Sequence, residues 1–443
     1  MVIIGEKNFQ SISKVGIIGG GVSGIAAAKQ LSRYQPVVFE ATDYIGGVWK
    51  HCSYNSTKLQ TPRCDYEFSD FPWPQRDNSS FPSHVEILDY LNAYAGHFDV
   101  LKYVRFNSKV VEVRFIDRDQ EISTIDAHNH TLLSGKPMWE VAVRVNQDDT
   151  IQWYAFEFLV MCAGKYGDIP KLPVLPKQKG PEIFNGMVLH SLDYAKLDKE
   201  SASQLLKGKK VVIIGYKKSA IDLAVECAEA NQEIWTEADH PFEEDYASCQ
   251  MAILPDNFFE EADKGRILFK RVSKWWFWSG GVQLEDNTKL DADVVLLATG
   301  YDGKKKLKAL LPEPFFDILQ DSSGIIPLYR GTIHPLIPWV AFVGYVESVS
   351  NLHSAELRCK WLSRLLDNQF KLPSVQKMLE YTTKEMEVMK RTTKFYKRNC
   401  ISTYIINHND EICEDMGWRP WRKTNWFSEV FGPYSNQDYQ EHK

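Results

Sequence analysis

At 443 residues, 44% of them apolar, the chain has material for two to three packed domains, an ordinary globular composition. A formal charge of −6 and a pI near 6.0 give no footprint for nucleic acid, and the basic clusters are short and scattered, Lys304 to Lys308 being the densest. Eight cysteines (52, 64, 162, 227, 249, 359, 400 and 413) form no C-x-x-C pair and no metal-ligand spacing, which fits reduced thiols in a cytoplasmic enzyme with no metal site.

The first residues, MVIIGEKNFQSISK, lack a basic segment followed by an apolar one, so no secretory signal is read. Nowhere do about 18 apolar residues run uninterrupted, which argues against an integral membrane segment.

The organising stretch is Val15 to Trp49. An apolar run, Val15 to Ile18, ends in Gly19, Gly21 and Gly24 at G-x-G-x-x-G spacing, with Gly20, Val22 and Ser23 between them, and Ile25 to Leu31 continues at helical period. The first glycine permits a tight turn, the second admits a pyrophosphate against the backbone, and the third lets helix pack on strand. The pyrophosphate then meets unpaired N–H groups at the positive end of the helix. A second short strand, Pro36 to Phe39, ends in Glu40, about 20 residues past the first glycine, where a carboxylate accepts hydrogen bonds from a ribose 2′-hydroxyl. An acid there disfavours a 2′-phosphate and leaves FAD or NAD as the first ligand.

Gly46-Gly47-Val48-Trp49 follows six residues later. An acid followed by x5-G-G-x-W resembles the second half of the FAD fingerprint in flavin-containing monooxygenases, and it favours FAD over NAD. Gly47, Val48 and Trp49 thereby become cofactor-binding candidates, although a tryptophan alone would more often be core. Thr57 to Pro82, with EFSDFPWP at 67–74, is dense in aromatics and prolines. It predicts an ordered loop packed by its own aromatics, and its F-S-D-F-P-x-P string again resembles that family. Asp70 reads as a turn cap.

The period of Val85, Leu88, Leu91 and Ala95 predicts a helix over 84–95. Alternation predicts strands of a small antiparallel sheet at 109–115, 139–145 and 151–156, then a buried strand at 158–161 ending in Cys162-Ala163-Gly164. Residues 170–181 read as a proline- and lysine-rich linker. Phe184, Gly186, His190 and Tyr194 match the F-x-G-x-x-x-H-x-x-x-Y/F signature of the same family, with Ala195 where Lys or Pro is usual. His190 is assigned to holding two domains together rather than to proton transfer.

Residues 211–230 repeat the plan of strand, turn and helix. In the family this is the NADPH fingerprint, G-x-G-x-S-A/G. Gly215, Ser219 and Ala220 match it, while Lys217 replaces the second glycine. Its side chain obstructs close backbone approach, though its charge can serve a phosphate. A dinucleotide unit then needs a second strand, ending in an arginine where a 2′-phosphate is read. Only Ile234 to Thr236 is strand-like, and no arginine occurs before Arg266. The join near Glu233 therefore reads as an internal deletion within 231–240 that exposes a sheet edge. Glu237 could read an unphosphorylated ribose and turn the site toward NADH.

Further strands are predicted over 266–277, 281–284 and 293–297, the last running into Ala298-Thr299-Gly300-Tyr301. That string resembles the family's A-T-G-Y crossover, making Thr299 and Gly300 candidates. Residues 339–344 form a final buried strand whose Gly344 lets backbone approach the flavin. Helices at 354–366 and 374–391 follow, the second with Val375, Met378, Leu379, Met386 and Met389 largely on one side, a stripe read as core. Family members can end in a hydrophobic anchor, whereas this chain ends in polar SNQDYQEHK.

Strings such as GGGVSGIAAAKQL, EDYASCQMAILP, ATGYDGKKKLKA and LYRGTIHPLIP extend the resemblance over essentially the whole chain, most strongly to the plant flavin-containing monooxygenases that N-hydroxylate pipecolic acid in systemic acquired resistance. The resemblance implies FAD and NADPH as cofactors, O2 and a small amine as substrates, and oxygen transfer from a C4a-hydroperoxyflavin. The amine must be neutral to attack, so activity rises with pH. Animal members place an asparagine near the flavin where Gln60 stands here, making Gln60 and Thr61 candidates beside the reacting carbon.

The predicted fold is α/β with two nested Rossmann-like units: an FAD domain from residues 1–169 and 301–443, and a shortened NADP domain at 170–300. Three functions follow: the N-hydroxylating monooxygenase, an FAD-binding isoform deficient in the donor and regulatory in role, and an oxidase or NADH-dependent reductase.

Overall fold

The computed structural model describes residues 9–75, 77, 80–116, 132–146, 150–230, 234–236, 249, 254–313, 315–319, 326–392 and 396–441. In chain order the strands are β1 (Phe9–Ile18), β2 (Val37–Phe39), β3 (Val104–Arg105), β4 (Ser108–Phe115), β5 (Trp139–Val145), β6 (Ile151–Met161), β7 (Met187–His190), β8 (Val211–Ile214), β9 (Ile234–Thr236), β10 (Ile267–Phe269), β11 (Trp275–Trp278), β12 (Gly281–Leu284), β13 (Lys289–Asp291), β14 (Val294–Leu297) and β15 (Val340–Phe342). They build two α/β units of the expected Rossmann-like kind and one three-stranded antiparallel sheet, β11-β12-β13.

The first sheet runs β3-β2-β1-β6-β5-β4, with β15 also on β6. β1 lies parallel to β2 and β6, and β4 to β6 are antiparallel. The two strands predicted at 151–156 and 158–161 are one, β6, and the small antiparallel sheet is an extension of the parallel one. No breaker separates them, and the intervening Glu157 is buried with its carboxylate accepting from the Gly135 amide at 2.6 Å. The first half of β6 pairs with β5 and its last residues pair with β15 from the far end of the chain.

The helix Val22–Gln30 packs on this sheet through Ala26, Ala27 and Ala28, all fully buried, and the helix Asn351–Leu366 lies against it, Ser363 Oγ donating to the Gln30 carbonyl at 3.0 Å. The aromatic loop packs mainly on the helix His84–His97 rather than on itself: Phe68 stacks on Tyr94 at 3.7 Å and Trp73 on Tyr90 at 4.2 Å. These rings turn the helix so that Ile87, Tyr90, Leu91, Tyr94 and Ala95 are buried, and Val85, expected inside, is 53% exposed. Asp70 pairs with Lys29 at 2.5 Å instead of capping a turn.

Ser83 and Glu86 form a capping box at the start of that helix. Arg63, then the Ser83 amide, hold the Glu86 carboxyl down at about 2, so its stabilising effect is complete above its ordinary range near 4.5 and is lost as pH falls toward 2. Ser83→Ala removes the bond to the Glu86 amide and weakens the cap by about 1 kcal/mol. Amide exchange over residues 84–87 should quicken about fivefold, and unchanged protection there would refute the cap's role.

The second sheet runs β10-β9-β8-β14-β7, all parallel. The sheet edge expected to stand open is covered, because β9 pairs with β8 through Ile234 and Trp235 and β10 adds outside it along all three residues. The stretch predicted as one strand over 266–277 is two, β10 and β11, in different sheets. Among the described residues, no helix is long and apolar enough to cross a membrane.

Candidate functional site

A cavity of about 710 Å³ opens along the carboxyl ends of β2, β1, β6 and β15, the place where open α/β sheets bind ligands. At β1 the chain turns through Gly19, whose φ of +107° and 2.5 Å clearance from a Cβ position to the Cys162 carbonyl admit only glycine. Gly24 lies against the Gly19 carbonyl, where a Cβ would sit at 1.8 Å, so the helix approaches the strand as its spacing predicts. Gly21 and Gly47 face each other, Cα of Gly21 lying 3.2 Å from the Cβ position of Gly47, and Gly344 (φ +89°) meets Ser23 in the same way at 2.5 Å.

Glu40, at the end of β2, is 7% exposed. Its carboxylate accepts from the Gly20 amide at 2.7 Å and from the Thr42 amide and hydroxyl at 2.9 and 2.7 Å. The side chain therefore braces the glycine turn while lining the cavity. Trp49 Nε1 donates to Tyr66 Oη at 2.8 Å, fixing both rings on the cavity wall. Gly164 has φ +72° and open space at its Cβ position. Gln60 is exposed at the cavity, and Thr61 Oγ1 is buried there without a hydrogen-bond partner among the described residues.

The cavity thus gathers Gly19, Gly21, Val22, Ser23, Glu40, Gly47, Val48, Trp49, Gln60, Thr61, Gly164 and Gly344. Gly20 and Gly24 support its floor. These features fit an FAD: glycine backbone where a pyrophosphate would lie, a carboxylate for a ribose, and in the same lining a buried hydroxyl, that of Thr61, with no partner among the described residues. Sequence reasoning missed Thr42 and His51, which meet at 3.0 Å, and also Lys165, Tyr166 and Glu347. The signal for Lys165 and Tyr166 was their place directly after Cys162-Ala163-Gly164.

The second fingerprint lies outside this cavity. Gly215 repeats Gly19, its Cβ position 2.6 Å from the Ala298 carbonyl. The Lys217 carbonyl starts the helix Lys218–Ala230 by accepting from Ala220 N, and its ammonium lies over the Tyr216 ring. The loop 53–57 of the first unit covers this helix: Ser56 N donates to Glu226 at 2.7 Å, and the Tyr54 hydroxyl lies beside Ser219 and Ser191. Burial raises Asp222 on the same helix to about 6 although Lys218 is 2.5 Å away. Thr299 and Gly300 bond to Lys171 and so build the crossover. His190 caps a short helix through Leu192 N and reaches the Gly300 carbonyl at 3.0 Å, tying β7 to that crossover. Glu237 lies outside the described residues.

The expectation of reduced thiols is corrected at one pair. Cys249 and Cys400 form a disulfide whose Cα atoms are 5.8 Å apart, and Cys249 lies on the cavity wall. The fold brings together two positions 151 residues apart, a proximity that spacing cannot reveal. The other six cysteines are thiols, not disulfides.

Compared with known proteins, residues 12–240 and 243–428 match the family described as flavin-binding monooxygenase-like. The chain is 52% identical over 509 positions to the probable flavin-containing monooxygenase 1 of Arabidopsis thaliana, covering 97% of this chain and 96% of that protein. That alignment is longer than the 443 residues here, so the relative has residues with no counterpart in this chain. Among solved structures, S-allyl-L-cysteine S-oxygenase from Allium sativum superposes with a TM-score of 0.66 at 22% identity, covering 92% of this chain and 89% of its own. OTEMO, in complex with FAD and NADP, superposes at 0.66 and 17%, covering 88% and 92%.

Proposed function

The chain belongs to the flavin-binding monooxygenase-like family, and from that premise we propose that it is an FAD- and NADPH-dependent monooxygenase that N-hydroxylates a small amine, pipecolic acid being the first to test, in plant defence. The observation that carries the flavin reading is the cavity along β2, β1, β6 and β15, where both halves of the FAD fingerprint meet. Bound flavin would supply the oxygen activation. The chain's own part is to seat the dinucleotide on the Gly19 to Gly24 turn and Glu40, to close the ring end against water with Trp49 and Tyr66, and to offer Gln60 and Thr61 as hydrogen-bonding groups beside the amine.

A second reading, an FAD-binding isoform deficient in the donor, is favoured by one observation: the second fingerprint lies outside the cavity, with Lys217 in place of a glycine and Tyr54 over Ser219. Anaerobic addition of NADPH to the purified yellow protein separates the two. Bleaching of the oxidised band within seconds supports the monooxygenase and makes pipecolate the next addition. A flavin that stays yellow with NADPH and NADH, yet bleaches with dithionite, refutes it in favour of the second reading.

A further inference from the structure

At the β6 and β15 end of the cavity stands a charged cluster assembled from three distant segments. Lys165 follows β6, Glu347 follows β15, and Arg398 comes from the C-terminal region. Glu347 is 5% exposed. Lys165 Nζ lies 2.7 Å from Glu347 Oε1 and donates to the Arg398 carbonyl at 2.7 Å. Arg398 donates to Glu347 Oε2 from Nε at 3.1 Å and from Nη2 at 2.7 Å, and to Tyr166 Oη at 2.8 Å, while Tyr166 Oη donates to Glu347. Burial works to raise the Glu347 carboxyl, yet Lys165 and Arg398 hold it below its ordinary range, so it is ionised.

Two cations therefore share one carboxylate. Lys306 on the same wall is matched by Asp168 at 2.7 Å. Lys165, Tyr166 and Glu347 line the cavity, with Arg398 behind them. Arg398 bonds Oε2 through both Nε and Nη2 while Lys165 pairs with Oε1, so the cluster as a whole carries one net positive charge, and Lys165 is the cation of the two that lines the cavity. The order of the strands says what it faces. A dinucleotide with its ribose at Glu40 on β2 and its pyrophosphate at β1 would continue along the edge toward β6 and β15, the end of the cavity that Lys165 lines.

We propose that Lys165 is the residue that tunes the flavin's electron affinity, presenting one net positive charge to the ring end of the cavity, with Glu347 and Arg398 as the positioning residues that hold it there. The assignment rests on the flavin reading. A fixed cation in a poorly solvated wall favours any state in which the ring carries added negative charge.

Sulfite titration of the flavin-loaded protein tests this without turnover. The sulfite sulfur lone pair forms a bond to ring N5, nothing leaves, negative charge moves onto the ring, and the visible band bleaches. Lys165→Met should weaken sulfite binding by about tenfold, Lys165→Arg should keep the wild-type value, and Glu347→Gln, which leaves more positive charge, should tighten it. A loaded Lys165→Met with wild-type sulfite affinity overturns the proposal, as does Glu347→Gln weakening binding like Lys165→Met, which would mark both as packing damage. Where these variants lose flavin, Arg398→Gln, altered outside the cavity, decides by the same readout: weaker binding supports the proposal and unchanged binding overturns it. A wild-type protein that takes up no flavin fails the flavin reading itself, whereas loaded variants that do not differ fail only this assignment.

Discussion

Gly24→Ala should yield a protein that purifies without flavin and unfolds at a markedly lower temperature. The added methyl would sit 1.8 Å from the Gly19 carbonyl oxygen, a backbone atom with no rotamer to change. That peptide is itself fixed, its Gly20 N donating to Glu40 at 2.7 Å, and the peptide before it is held by Gly19 N donating to the Phe39 carbonyl at 2.9 Å and Cys162 N to the Ile18 carbonyl at 2.8 Å. Relief therefore requires the helix Val22–Gln30 to move away from β1, which opens the turn that would hold a pyrophosphate. Overpacking of this kind costs about 1–3 kcal/mol, and a backbone obstacle puts it at the upper end. Gly96→Ala is the control: it lies in the helix His84–His97 with nothing within 4 Å of its Cβ position, and it should stabilise by about 0.5–1 kcal/mol. Absorbance at the flavin band per polypeptide and thermal midpoints report both. A Gly24→Ala protein with a full complement of flavin would refute the close-packing account of this glycine.

Replacing Glu40 should separate two roles of one carboxylate. In Glu40→Ala the buried Gly20 and Thr42 amides lose their acceptor, an effect of about 1–3 kcal/mol on the protein without ligand. The ribose acceptor vanishes as well, so the Kd for FAD should rise by about 10- to 100-fold, equivalent to about 1.4–2.8 kcal/mol. Glu40→Gln keeps one acceptor oxygen and the side-chain shape, so it should recover part of the stability and less of the affinity. Reconstitution of the stripped protein with FAD gives the affinity, and its thermal midpoint without FAD gives the stability. A wild-type Kd in Glu40→Ala would remove this residue from the ribose site.

The first unit was legible because its determinants are local. Strand, turn, helix and carboxylate occupy residues 15–40 in one order, and each glycine meets the neighbour that its spacing implies. The helix His84–His97 was legible as a helix, but its buried face was set by Phe68, Phe71 and Trp73 arriving from a preceding loop, so Val85 was misplaced. In the second unit Val211 to Ala230 announced a dinucleotide fold, yet nothing local says that the Ser53 to Thr57 loop lies over its helix. Three residues sufficed for β9 because β8 and β10 supply pairing on both sides, so the predicted bare edge did not arise. The Cys249–Cys400 bridge spans 151 residues, and in the charged cluster Lys165 reaches Arg398 across 233, so neither carries a pattern in the chain.

β15 lies on β6 only after some 340 residues have been made, and the helix that backs the first glycine turn, Asn351–Leu366, comes later still. During synthesis the first unit therefore waits, with the last residues of β6 paired to β1 but bare on their β15 side and the helix Val22–Gln30 uncovered, while the second sheet emerges. Flavin capture by this logic waits for the synthesis of β15 and the helix Asn351–Leu366, and a nascent chain stalled before residue 340 is an open half-site with a bare parallel edge.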